Sequence, residues 1–225
     1  MQGYKSSLQL THTISVGPIN EAFPNDVFPL GAVHEFISTS TEDGASTYGF
    51  VMAVVAKIAE KGGVSLWISS SRMAFPPALV VFGISPENII FLDLEKETDC
   101  LWAMEEALKC EGLSTIVCES PNLSFTASRR FQLAVEQSGV TGFVLRQNPR
   151  SPGTTATIAR WKITALKSEL LNGIPGIGFP RWKVDLLRVR NGRPGSWNIE
   201  FSNRQFKAVT SDPVRVEEIK QRKAG

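Results

Sequence analysis

The sequence predicts an α/β fold: a mainly parallel β-sheet with helices on both faces and a C-terminal antiparallel extension. Three observations predict it. Between about residues 32 and 145, short apolar runs of strand length alternate with longer segments whose apolar residues recur at helical spacing. Beyond about residue 155 the pattern changes to strict apolar and polar alternation, which marks half-buried antiparallel strands. The chain has 225 residues, 42% of them apolar and 20% charged, which suits one substantial domain with a packed core and excludes a disordered or fibrous class.

In order, a polar stretch to Pro29-Leu30-Gly31 leads into a strand at Ala32 to Ile37. A polar loop, Ser38 to Gly44, precedes a core helix from Ala45 to Glu60, with Phe50, Val51, Val54 and Ile58 at helical spacing and Gly62-Gly63 as its stop. Val64 to Ile68 and Asn88 to Leu94 read as buried strands, separated by a short helix from Pro76-Pro77 to Gly83. Asp99 to Glu111 is an amphipathic helix and Ser114 to Glu119 the next strand. The helix Phe125 to Gln137 then feeds the strand Thr141 to Leu145. This alternation requires right-handed crossovers and hence parallel pairing. Ala156 to Ala165, Trp182 to Val189 and Trp197 to Phe201 supply the antiparallel extension.

No secretory leader opens the chain and no apolar run approaches the roughly 18 residues of a membrane span, so a cytoplasmic protein is expected. Cys100, Cys110 and Cys118 are too few and too unevenly placed for a disulfide framework or a zinc site and read as buried thiols. His12 and His34 have no nucleophile motif around them and read as surface or capping residues. Net charge is +2, but residues 1–120 carry 6 Lys/Arg against 15 Asp/Glu and residues 121–225 carry 18 against 7. Such a split suits an anion-facing C-terminal half, and equally two halves that attract each other in the fold.

A strand, a small-residue loop and a helix place backbone N–H groups at a helix N-terminus, the layout of a phosphate-binding loop. A working loop also needs Gly-Lys-Ser/Thr, because the lysine meets the phosphates and the hydroxyl holds Mg²⁺. Here the run is Gly44-Ala45-Ser46-Thr47, with Glu42 and Asp43 adding repulsion. At the end of the second strand, Ser69-Ser70-Ser71 stands where an ATPase of this layout presents a carboxylate. Glu119 ends its strand at the position of a metal-holding carboxylate, though a lone acidic strand terminus is commonly only that. The expectation is no enzyme, no cofactor and no metal site.

Over roughly residues 14–201 the order of pieces resembles the RecA recombinase core. Ile14-Ser15-Val16-Gly17 and Phe28 to Phe36 look like the approach to its phosphate loop. Phe143-Val144-Leu145-Arg146-Gln147 is similar to the strand ending in its nucleotide-sensing glutamine, followed by Asn148 to Thr155 at the place of a mobile DNA-binding loop. The block from Gly178 to Trp197, together with Leu101 to Leu108 and Arg129 to Ala134, resembles the ImuA family of RecA- and SulA-related mutagenesis proteins. The resemblance implies a RecA-like domain over 31–204, after a lead-in of 1–30 and before a polar tail of 205–225. It also implies a degenerate nucleotide site at Gly44, Ala45, Ser46, Thr47, Glu119 and Gln147. Its members accompany an error-prone replicative-type polymerase and a Y-family-like polymerase homologue in translesion synthesis during the response to DNA damage. RecA and single-stranded DNA are further candidate partners. A SulA-like inhibitor of cell division and a residual RecA-like ATPase are the alternatives.

The C-terminal half holds the candidate partner-binding residues Arg150, Arg160, Lys162, Arg181, Lys183, Arg188, Arg190 and Arg193. Residues two apart on a strand share a face, which pairs Arg160 with Lys162 and Arg188 with Arg190. Such a stripe, with Trp161 and Trp182 interleaved, suits a nucleic-acid backbone with bases stacked on aromatic rings. Solvated strand faces and packed tryptophans explain the same pattern, and an Arg-rich face recruits proteins equally well.

Overall fold

The computed structural model describes residues 13–70, 76–168 and 178–209. Nine strands form one sheet in the order β3-β2-β4-β5-β1-β6-β7-β8-β9. They are β1 (Val33–Ser38), β2 (Val64–Ser69), β3 (Ile89–Asp93), β4 (Leu113–Glu119), β5 (Thr141–Gln147), β6 (Ala159–Leu166), β7 (Arg181–Val189), β8 (Gly195–Ser202) and β9 (Gln205–Ala208). From β3 across to β6 every neighbouring pair is parallel, and β7, β8 and β9 continue antiparallel. The expected mainly parallel α/β sheet with a C-terminal antiparallel extension is therefore present. One strand of the extension belongs to both patterns: β6 runs parallel to β1 and antiparallel to β7. Residues 148–158 bring this about by returning the chain from the end of β5 to the start of β1 before β6 begins.

Helices α1 (Thr41–Ala59) and α2 (Pro76–Phe82) cover one face, and α3 (Glu97–Ala107) and α4 (Phe125–Ser138) the other. Along β1 the side chains divide accordingly. Phe36 packs with Phe50 and Val54 of α1, whereas Val33 packs with Phe131 and Val135 of α4. Helix α4 ends at Gly139 in the left-handed conformation, φ 75°, which glycine adopts without a Cβ penalty.

The stretch before β1 is not peripheral. Two 3-10 turns, Gly17–Ala22 and Pro24–Asp26, place Ile14, Val16, Ile19, Ala22, Phe23 and Phe28 in the larger core. At the other end, β9 lies just past residue 204, where the polar tail was expected to begin, and its Phe206 is buried against Phe201 with ring centroids 5.0 Å apart. Residues 210–225, the rest of that expected tail, lie outside the described residues.

His34 corrects the sequence reading: it is fully buried, not a surface or capping residue. Its ring stacks on Phe28 at 4.7 Å, its Nε2 meets Pro29 O at 2.8 Å, and Trp161 Nε1 donates to its Nδ1 at 3.3 Å. Burial pushes its pKa down to about 4, so it is neutral with the proton on Nε2. His12 lies outside the described residues.

Candidate functional site

The phosphate-binding layout was placed at the β1–α1 junction, and there the helix begins earlier than the sequence suggested. It starts at Thr41, four residues before Ala45, because Ser40 caps it: Ser40 Oγ accepts from Asp43 N at 3.1 Å and Ser40 O from Gly44 N at 3.0 Å. Only Thr39 and Ser40 join strand to helix. Gly44, Ala45, Ser46 and Thr47 therefore lie inside α1. Ser46 Oγ donates to Glu42 O at 3.0 Å, and Thr47 Oγ1 bonds Ser38 Oγ at 2.9 Å. Gln147, at the end of β5, fills the space where a Cβ on Gly44 would sit, and its Nε2 is buried without a partner.

The positive end of α1 is already answered by its own first turn, which carries Glu42 and Asp43. Asp43 accepts from Thr39 Oγ1 at 3.0 Å and has Lys162 Nζ at 3.8 Å.

Glu119 is a buried carboxylate at the end of β4. Trp67 Nε1 donates to it at 2.7 Å, and the hydroxyl of Tyr48, stacked on Trp67, bonds to it as well. Burial and this carboxylate push the Tyr48 phenol far above its ordinary range, so it remains a donor. Ser69 is buried at the end of β2, and Ser71 lies outside the described residues. Among the described residues no group of three or more His, Cys, Asp and Glu side chains could hold a metal ion.

A second cluster was not anticipated. Glu35, fully buried in the middle of β1, is flanked by Arg146 on β5 and Arg160 on β6. Arg146 Nη1 bonds Glu35 Oε1, and Arg160 Nε donates to Oε2 at 3.0 Å. Thr155 Oγ1 adds a bond to Oε2 at 2.7 Å. Arg146 also reaches Pro121 O just after β4, and the two guanidiniums hold the crossing segment: Arg146 bonds Ser151 O and Pro152 O, and Arg160 bonds Pro152 O and Gly153 O. Arg188 on β7 adds bonds to Thr155 O at 2.9 Å and to Thr157 Oγ1 at 2.9 Å. The signal for this cluster was present in the sequence, as single charges inside the apolar runs Val33–Ile37 and Phe143–Arg146.

The basic candidates separate by what they touch. Arg160 is committed to Glu35, Arg181 pairs with Glu200 at 2.7 Å, and Lys183 lies 3.6 Å from Asp185. Arg150, Arg190 and Arg193 are exposed. Arg160 and Arg188 face each other across the β6–β7 ladder, Arg190 lies just beyond the end of β7, and Arg160, Lys162 and Lys183 are already paired with carboxylates. Trp161 and Trp182 are buried in the larger core and offer no ring to a base.

No protein-family model matches the chain. Protein ImuA of Caulobacter vibrioides strain NA1000 / CB15N is 33% identical to it over 194 residues, covering 81% of this chain and 80% of that protein. Protein ImuA of strain ATCC 19089 / CIP 103742 / CB 15 matches to the same extent. In the described residues no helix is long and apolar enough to cross a membrane.

Proposed function

The chain belongs to the ImuA family, and from that premise we propose that it is a non-catalytic, RecA-like accessory protein of error-prone translesion DNA synthesis that works by binding partners. The family places it with error-prone repair. In the finer reading it binds an error-prone polymerase and a Y-family-like polymerase homologue, with RecA or DNA as further contacts; the chemistry of the β1–α1 junction supports the non-catalytic part of this reading.

One observation carries it. Where phosphate would be held, α1 starts at Thr41 with Asp43 on its own N-terminus, and Gln147 packs on Gly44. Ala45 brings no cation, and Glu119 is occupied by Trp67 and Tyr48. A highly charged nucleotide would meet like charge and a filled cleft, so the degenerate site has no part in turnover. The exposed Arg150, Arg190 and Arg193, with the basic face of Arg160, Lys162, Arg181, Lys183 and Arg188, are then the partner-binding residues in this reading.

Two measurements test it. Tagged chain recovered from cells after DNA damage is expected to bring down the two polymerases, as read by mass spectrometry. The tubulin-like division protein in their place would favour the SulA-like alternative. Purified chain is expected to release no phosphate from ATP above background. Release abolished by Ser46→Ala would overturn the non-catalytic reading.

A further inference from the structure

Beyond β1 the second face of the sheet carries no described helix. Residues 148–158 cover β1 itself, and β6, β7 and β8 then present Arg160, Lys162, Lys183 and Arg188, with Ser196, Asn198 and Asp185 alongside, the last 3.6 Å from Lys183. The positive charge on this face is unevenly balanced. Glu35 is shared by Arg146 and Arg160, whereas Arg188 has no carboxylate within ion-pair distance among the described residues. Its Nε is buried without a partner, although its two terminal nitrogens hold Thr155 and Thr157. Burial, and then the neighbouring charge of Arg160, weaken its hold on its proton, with Arg190 adding to the repulsion. Arg190 follows β7 directly, is anchored by its backbone N–H on Ile158 O at 2.8 Å, and extends an exposed side chain.

We propose that Arg188 and Arg190, with the outer edge of Arg160, form a site for the phosphate backbone of DNA that engages single and double strands alike. This rests on the repair reading above and deepens it. An anion placed there would meet Arg188, which has no carboxylate within ion-pair distance among the described residues, and Arg160, which shares its one carboxylate with Arg146. Arg188 lies in β7 and Arg190 in the bend directly after it, close enough for the two charges to repel each other, as suits neighbouring phosphates on one strand. Single-strand specialists add aromatic rings on which bases stack. Here Trp161 and Trp182 turn to the opposite, buried face, so contact is confined to phosphates and carries no base preference.

The test uses the whole chain and fluorescence anisotropy with a labelled oligothymidine and a labelled duplex of equal length, at several salt concentrations. Comparable affinity for the two, within about threefold, and a steep loss with salt are expected. Arg190→Ala is expected to lower the salt slope by about one unit, and Arg190→Glu to weaken binding at least tenfold at low salt. Lys61→Glu, an equal change of charge on the exposed turn after α1, is expected to have little effect. Arg188 also supports the fold, so the site is tested through Arg190, with unchanged circular dichroism as the control. Absence of DNA binding at low salt, a single-strand preference above about tenfold, or equal effects of Arg190→Glu and Lys61→Glu would each overturn the proposal. Arg190-dependent binding of poly-L-glutamate without DNA binding would overturn it in favour of an acidic protein partner. Recovery of the polymerases by Arg190→Glu would leave the accessory function standing, whereas their failure to bind the unaltered chain would sink that function and leave this site untouched.

Discussion

His34 and Glu35 are neighbours on β1, point to opposite faces, and solve the burial of a polar side chain in different ways. His34 is kept neutral: with its pKa pushed down to about 4 by burial, the folded chain refuses a proton that the unfolded chain takes up below about pH 6.5. The contribution is therefore complete above about pH 6.5 and is lost as pH falls towards 4, about 3 kcal/mol across that window. Urea unfolding at a series of pH values is expected to show this decline in the native chain. It should be absent in His34→Gln, which keeps a donor for Pro29 but cannot titrate; equal slopes in the two would refute the assignment. Glu35 is met instead by two guanidiniums. Glu35→Gln would leave Arg146 and Arg160 buried with no countercharge, and a loss of about 3–5 kcal/mol in urea unfolding is expected. A change below about 1 kcal/mol would mean that the backbone carbonyls around Arg146 suffice without the carboxylate. Neither role was legible from composition, because a polar residue in an apolar run reveals its burial but not its partners: those of Glu35, and the Trp161 that bonds His34, lie more than a hundred residues away.

At the scale of elements, α1 shows how a local signal was present and misweighted. Ser38 to Gly44 reads as a loop because it is rich in Ser, Thr and acids. The same residues make a helix start once Ser40 is taken as the N-cap with Glu42 and Asp43 in the first turn. The four-residue shift leaves only Thr39 and Ser40 between strand and helix, which supports the proposed reading that no loop is left there to wrap phosphate. Ala45→Lys is accordingly expected to give neither saturable binding of a fluorescent ATP analogue nor phosphate release, because the new lysine would project from a helix and not from a wrapping loop. Saturable binding in that variant would show that the junction reopens and that charge alone was missing. Ser40→Ala should cost about 1 kcal/mol in unfolding, and Ser40→Asp should be nearly neutral. The segment 148–158 contains Asn148 to Thr155, which was expected at the place of a mobile DNA-binding loop. Its carbonyls at Ser151, Pro152, Gly153, Thr155 and Thr157 are instead held by three arginines. Those bonds form only when β5, β1, β6 and β7 are assembled, so no reading of the loop's own residues reveals them.

Across the whole molecule, strand order removes any division into an acidic and a basic half. β1 lies between β5 and β6, so a strand from the acidic N-terminal half is clamped by arginines from the basic half. Attraction between the halves, one of the two readings of the charge split, has a concrete form in these ion pairs. The alternation of strands and helices made the parallel sheet legible, because burial on both faces dictates apolar runs. It did not reveal what covers the far side of the aromatic layer formed by His34, Phe36 and Trp161. That cover is the stretch before β1, whose Phe28 stacks on His34 and whose Phe23 lies 5.9 Å from Trp161. The same stretch closes against the opposite end of the chain, since a Cβ on Gly17 would lie 2.7 Å from Phe206 O, and Arg193 N donates to Ala22 O at 2.8 Å. A chain beginning at residue 31 would expose this layer and lose six buried apolar residues, from Ile14 to Phe28. It is expected to show no cooperative thermal transition and to bind hydrophobic dyes. Phe28→Ala in the full chain, a milder lesion, should lower stability by about 3–5 kcal/mol while keeping one cooperative transition. If the shortened chain unfolded cooperatively at an unchanged midpoint, residues 13–30 would be an appendage after all, and the domain would begin at β1.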